Sequence, residues 1–368
     1  MKPFLNISVL LGSISFALMP LKSNLEQYKE RLKANHLKFD RDKNGVLSQE
    51  ELSTSWKKFR YLDSNKDEQI SQKELQGLQV PAINSPGEKL LCVPYKTVNG
   101  TAVYLDFYYP DVDDKTDKPV VVFTHGGGWA AGNKSKAGQG LFNRVHRALL
   151  NKGFCVLSVG YRLAKPGRPS GVRDCVIDVQ DAVRFAVAHQ KALGISPEKI
   201  YTFGDSAGGH LAQMLLWCPA DKLQGDPELA PFTYKTVAGV SWYGPCDFQD
   251  IQLFNFHNEP DFRNRFSGRI LQARPEGMTD TQLYQEVSPV IYAHKSQAPL
   301  FMIQGDQDTT IPVNHVHRMQ EVAQETGAPV RFQVVKNAGH NWRAVNAPIS
   351  PTTDEIVQMT VDYFLGHF

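Results

Sequence analysis

The chain has 368 residues, 40 basic and 38 acidic side chains and a net charge of +2, with 42 % hydrophobic residues. That length exceeds one ordinary domain and can bury a large core. The near-neutral charge argues against a nucleic-acid surface, and past the N-terminus no stretch is long and apolar enough to span a bilayer. At the start, Lys2 precedes an apolar run from Phe4 to Met19, the charged and hydrophobic parts of an export signal. Residues 1–23 are therefore expected to be a signal peptide of a secreted or periplasmic protein. No cysteine follows the apolar run, so no lipid anchor is expected there.

Two acidic loops come next. In the first, Asp40, Asp42, Asn44, Val46 (through its carbonyl), Ser48 and Glu51 fall at positions one, three, five, seven, nine and twelve, with Gly45 at six. In the second, Asp63, Asn65, Asp67, Gln69, Ser71 and Glu74 repeat the spacing, but Glu68 replaces the glycine. Calcium needs six to eight oxygens around one point, and this spacing wraps them there. A residue with a side chain at a positive-φ position costs on the order of 1 kcal/mol, so the second site is expected to be weaker. Leu47 and Ile70 occupy the apolar eighth positions, where paired loops form a short antiparallel bridge. Residues 26–78 resemble the EF-hand family, which implies a small all-α pair at 24–80 that binds Ca²⁺. Dockerin-like loops are the milder alternative, and Glu51 and Glu74 at position twelve favour EF-hands.

Residues 81–88, with Pro81 and Pro86, read as a linker. Beyond them, strands are expected near Leu90 and over 101–107, and Lys118–Thr124 is apolar and β-branched almost throughout, as a buried strand is. It runs into His125-Gly126-Gly127-Gly128-Trp129, where glycines let backbone N–H groups converge on one point, as the oxyanion of acyl transfer requires. His125 reads as a loop brace. A helix past Tyr161 carries Val176, Val179, Val183 and Ala186 at core spacing.

Gly204-Asp205-Ser206-Ala207-Gly208-Gly209 lies between the strand-like 199–203 and a helix-like run from His210. A Gly-x-Ser-x-Gly in that context is a nucleophile elbow, with Ser206 as nucleophile and the N–H groups of Gly127, Gly128 and Ala207 as the oxyanion hole. Residues 246–287, rich in phenylalanine, read as a loop-and-helix insertion with its own small core; the sharper reading is a substrate-facing cap. An orienting acid and a base should follow at strand ends, in that order. Asp308 follows the strand 299–304 and is the expected orienter, with Asp306 as alternative. His340 follows the last strand, 329–335, and is the expected base. His210, His315 and His317 read as packing or surface residues. The five cysteines, Cys92, Cys155, Cys175, Cys218 and Cys246, have no metal-type spacing and read mostly as small buried hydrophobes, one bridge being possible.

Together the His125–Trp129 and Gly204–Gly209 motifs resemble the hormone-sensitive-lipase-like carboxylesterases. The run Gly160-Tyr161-Arg162-Leu163-Ala164 and the Asp308–His340 spacing are most similar to bacterial feruloyl and acetyl-xylan esterases. The resemblance covers residues 89–368 and implies an α/β-hydrolase fold, with a mostly parallel eight-stranded sheet flanked by helices. It further implies ester hydrolysis through an acyl-enzyme without a catalytic cofactor, on small or carbohydrate-linked esters. The cap helices usual before the first strand are missing, which implies an open cleft. An amidase or peptidase on the same fold, and a calcium-binding protein with an inactive hydrolase domain, are the alternatives.

Overall fold

The structure is a computed structural model that describes residues 19, 21–60, 62–75, 80–255 and 264–368. The expected export signal lies almost entirely outside the described residues, as do Phe256 and Phe262 of the insertion.

Strands β1 (Val46–Ser48) and β2 (Gln69–Ser71) pair antiparallel, with Leu47 opposite Ile70. The connector between them breaks into single helical turns at Gln49–Leu52 and Trp56–Phe59, because Ser53 turns to a φ of +44°. Leu47, Leu52, Leu62, Ile70 and Leu75 form a separate small core, sealed by Leu37, Trp56 and Phe59. The stretch read as a linker does not hang free. Ile83 is fully buried in the main body, and the Asn84 N–H donates to Asn143 Oδ1 at 2.9 Å.

The main body is one eight-stranded sheet. Its strands are β3 (Lys89–Val98), β4 (Thr101–Tyr108), β5 (Lys118–Thr124), β6 (Cys155–Val159), β7 (Ile195–Asp205), β8 (Thr236–Trp242), β9 (Leu300–Gly305) and β10 (Val330–Val335), in the order β10-β9-β8-β7-β5-β6-β4-β3. From β5 to β10 all pairings are parallel; β3 and β4 join antiparallel at one edge. This is the α/β-hydrolase architecture expected from the sequence.

Alternate residues of the central strands face two cores. Val120, Val122 and Leu157 enter one, under the helices Val172–Ala188 and Ala207–Trp217. Val121, Phe123 and Val156 enter the other, under Gly140–Leu150 and Thr353–Leu365. Burial on both faces explains why β5 and β6 are apolar without alternation. From β5 the chain goes to β6 on one side and then to β7 on the other. That reversal leaves a crevice outside the carboxyl ends of β5 and β7, where open α/β sheets place their ligands. Among the described residues no helix is long and apolar enough to cross a membrane.

Candidate active site

Ser206 leaves β7 with φ +53° and ψ −122° and opens the helix Ala207–Trp217. The turn closes only because its neighbours lack side chains. A Cβ on Gly204 would sit 2.2 Å from the Gly208 carbonyl oxygen, and one on Gly208 would sit 2.0 Å from that of Thr124. The strained backbone is held from both sides: the Ser206 N–H donates to Trp242 O at 2.8 Å, and the Thr124 hydroxyl donates to Gly208 O at 2.7 Å. Such strain persists where the surroundings over-determine it, as they do here.

His340 and Asp308 reach the same point from the ends of β10 and β9. His340 Nε2 lies 3.1 Å from Ser206 Oγ, and His340 Nδ1 lies 2.7 Å from Asp308 Oδ2. Asp308 is buried, and its other oxygen accepts the N–H groups of Thr310 and Ile311 at 2.8 and 2.9 Å. Those contacts fix the carboxylate before any substrate arrives. No hydrogen bond joins the Asp306 carboxylate to His340 among the described residues, and it is Asp308 that the structure brings to the histidine. The arrangement can draw the proton of Ser206 Oγ onto Nε2 while the carboxylate holds the opposite ring nitrogen protonated.

Gly127, Gly128 and Ala207 line the same cleft, of about 370 Å³, as Ser206 and His340. Gly127 and Gly128 take φ values of +130° and +57°, and a Cβ on Gly127 would sit 2.2 Å from Ala131 O. His125 is a brace. Its ring stacks on Tyr161 with centroids 4.3 Å apart, and burial lowers its pKa to about 4. His210 is likewise lowered to about 4 by burial; it accepts from Trp129 Nε1 at 3.2 Å and donates to Val287 O at 2.7 Å. Arg162 is fixed on Asp178, 2.8 Å away, and has a structural role.

One feature of the site escaped the sequence reading, and a second stood there only as an alternative, a substrate-facing cap. Asp205, the variable residue before the serine, accepts the Gly126 N–H at 2.8 Å and pairs with Lys136 at 2.6 Å, tying the glycine loop to the elbow. An acidic residue ending a buried strand was the available signal. The second is the insertion. Phe248, Phe254 and Phe266 do not form a core of their own but join the main one through Trp129, whose ring lies 5.6 Å from Phe266 and 5.7 Å from Phe248. The expectation of a self-contained core is corrected, because the indole after the glycine loop offers an apolar surface for those rings. Phe266 and Arg269 line the cleft itself, and none of its lining residues comes from the N-terminal loops.

Those loops have their own geometry. Carboxylate oxygens of Asp40, Asp42 and Glu51 lie within 4.8 Å of one another, the only such acidic group among the described residues. Asp40 accepts the N–H groups of Asn44 and Gly45, and the Asn44 side-chain oxygen accepts that of Val46. Ser48 spends its hydroxyl on Glu51 at 2.8 Å. In the second loop Asp63 accepts from Asp67 and Glu68, Asn65 from Asp67, and Asp67 from Gln69, while Ser71 donates to Glu74. Its carboxylates do not gather as tightly, and Glu68 holds φ +60° where Gly45 holds +81°. Glu51 and Glu74 are both lowered to about 2, first of all by the backbone N–H groups of Ser48 and Ser71.

Comparison with known proteins places this geometry. Probable carboxylic ester hydrolase LipM of Mycobacterium tuberculosis is 28 % identical over 231 residues, which cover 61 % of this chain and 51 % of that protein. Esterase LipC of the same organism is 28 % identical over 247 residues, 65 % and 57 % of the two chains. Isoprenylcysteine alpha-carbonyl methylesterase ICME of Arabidopsis thaliana is 25 % identical over 256 residues, 68 % and 57 %. The chain thus spans about half the length of the curated relatives it matches. The apo form of Thermogutta terrifontis esterase 2 shares the fold, with a TM-score of 0.61 at 21 % identity over 78 % of this chain and 97 % of that one. The dienelactone hydrolase family model matches residues 281–364. The BD-FAE family model matches residues 105–322, more than half of the chain and all of the segment from β5 to β9, and the chain therefore belongs to the BD-FAE family.

Proposed function

We propose that the protein is a serine carboxylic-ester hydrolase. The observation that carries this reading is the Ser206–His340–Asp308 relay, with separations of 3.1 and 2.7 Å, opening into a cleft lined by Gly127, Gly128 and Ala207. Ser206 Oγ attacks the ester carbonyl as His340 takes its proton, and the oxyanion is received by the N–H groups of Gly127, Gly128 and Ala207. Collapse expels the alcohol, which leaves with the proton from His340. Water then repeats the sequence on the acyl-enzyme. The named esterase relatives support the reading. The small cleft favours short acyl groups, and the polar groove beyond His340, lined by Gln307, Thr309, Arg343 and Asn346, suits a hydroxyl-rich alcohol such as a carbohydrate.

The reading extends to the N-terminus. Residues 24–80 act as an EF-hand pair in which Asp40, Asp42 and Glu51 hold Ca²⁺ more tightly than the second loop does, and the ion stabilises without entering the chemistry. The first residues direct export. The decisive experiment is a panel of acetyl, butyryl and long-chain p-nitrophenyl esters plus an aryl amide, run on wild type and Ser206→Ala. Short esters should be preferred, and Ser206→Ala should retain no more than about a few per cent of the rate. Faster cleavage of the amide would make the protein an amidase, and an active Ser206→Ala would remove the serine from the mechanism.

A further inference from the structure

Two basic side chains besides His340 line the Ser206 cleft, and they differ in what they face. Lys136 is neutralised by Asp205 at 2.6 Å. Arg269, on the helix Asn264–Ile270, has no acidic partner among the described residues. Its Nη1 donates to Gly128 O at 2.9 Å, and its guanidinium carbon lies 5.7 Å from the centre of the Phe266 ring. The space it fills exists because residue 128 is glycine: a Cβ there would lie 2.4 Å from Nη1. The group is thus held in one place on a half-buried wall, with Nε–H and Nη2 donors unmatched among the described residues.

A guanidinium is planar, always charged, and presents its donors as a fork that fits a carboxylate. Held by Gly128 and Phe266, it loses little further freedom when it binds an anion. From this we infer that the cleft accepts esters that carry a carboxylate, and that Arg269 is the specificity-determining residue that binds it. A single cation with no acidic partner among the described residues matches a monoanion. The inference rests on the ester-hydrolase reading above. The carboxylate can belong to the acyl part, as in a dicarboxylic half-ester, or to the alcohol part, as in an acylated hydroxy acid.

The test compares charged esters with their uncharged amide twins by pH-stat. Monoethyl succinate against ethyl succinamate probes the acyl side; acetoxyacetate against acetoxyacetamide probes the alcohol side. In at least one pair kcat/KM should favour the charged member by about tenfold or more, the scale of a hydrogen bond to a charged group. The ratio should fall to near one in Arg269→Gln, be partly kept in Arg269→Lys, and shrink as salt is added. The ratio separates recognition from any general damage to the Gly128 loop, since such damage lowers both members alike. If Arg269→Gln does not fold, Arg269→Lys and the salt titration carry the test. A wild-type ratio of one or less in both pairs overturns the inference. So does a ratio that survives Arg269→Gln or vanishes instead with Arg343→Gln, the exposed cation of the neighbouring groove. p-Nitrophenyl acetate, assayed alongside, keeps the two readings apart: cleavage of it without charge preference leaves the hydrolase standing, and a preparation that cleaves none of these esters overturns both.

Discussion

Ser206 and His340 are 134 positions apart in the chain and meet at 3.1 Å, whereas Glu51 reaches back only ten positions to accept the Arg41 N–H at 2.7 Å. The first contact exists only when β7 and β10 stand in the same sheet. The second needs nothing but its own loop. Charge is also handled differently. Behind the serine, His125 and His210 are buried and kept neutral; in the N-terminal loops, half-buried Glu51 and Glu74 are kept ionised by N–H donors. A long-range site depends on the fold as a whole, and a local one on the conformation of about a dozen residues.

The largest effect should come from cutting the long-range relay. Asp308→Asn should lower kcat by about four orders of magnitude, because the histidine loses the partner that sets its tautomer. Asp306→Asn should cost far less, and steady-state kinetics with p-nitrophenyl acetate decides between them. The reverse ranking would move the orienting role to Asp306.

Acid should separate the two regions next. Burial lowers His125, His146 and His210 from 6.5 to about 4, and His315 to about 3. Between those values and 6.5 the unfolded chain binds protons that the native chain refuses, so stability falls as pH falls through that window. Glu51 and Glu74 follow the same sign in a lower window. Their contribution is complete above about 4.5 and is lost only toward about 2. Calorimetry from pH 7 to pH 4 should show the hydrolase Tm dropping by roughly 5 °C or more, with the loops unaffected. A flat hydrolase Tm across that range would show that the buried histidines take up protons.

Gly208→Ala tests how tightly the elbow is determined. The new methyl group would meet backbone at 2.0 Å, and we expect a loss of at least about 3 kcal/mol in urea unfolding. The smallest effects belong to the loops. Calcium should raise the Tm of the N-terminal module by mass action, and Asp40→Ala should diminish that response more than Asp63→Ala. Glu68→Gly should strengthen the second loop by about 1 kcal/mol. Collapse of kcat on EDTA, with an unchanged hydrolase Tm, would instead make the pair a regulator.

Much of this was legible from residues alone. The Gly204–Gly209 run between strand and helix, and the glycines after β5, mark the strained elbow and the glycine loop beside it because their backbone demands are local. The central strands β5 and β9 and the end of β7 are legible because burial on both faces leaves continuous apolar runs, whereas β6 was not singled out. The insertion was read less well. Its phenylalanines have no periodicity, and their partner, Trp129, lies more than a hundred positions upstream. Arg269 gave no signal at all, since its place depends on the same docking.

By itself, then, the sequence determined the elements, the strained elbow, the order in which serine, acid and base occur, and the twelve-residue oxygen pattern of each N-terminal loop. All of these depend on neighbours along the chain, through steric limits on φ or through side-chain periodicity. Tertiary structure alone decided that Asp308 and not Asp306 faces His340, that Asp205 ties the glycine loop to the elbow, and that the insertion brings Phe266 and Arg269 to the cleft. The reason is that a carboxylate's or guanidinium's partner is chosen by which strand ends and loops converge at the switch between β5 and β7. That convergence is set by sheet order and core packing, and no local pattern encodes it.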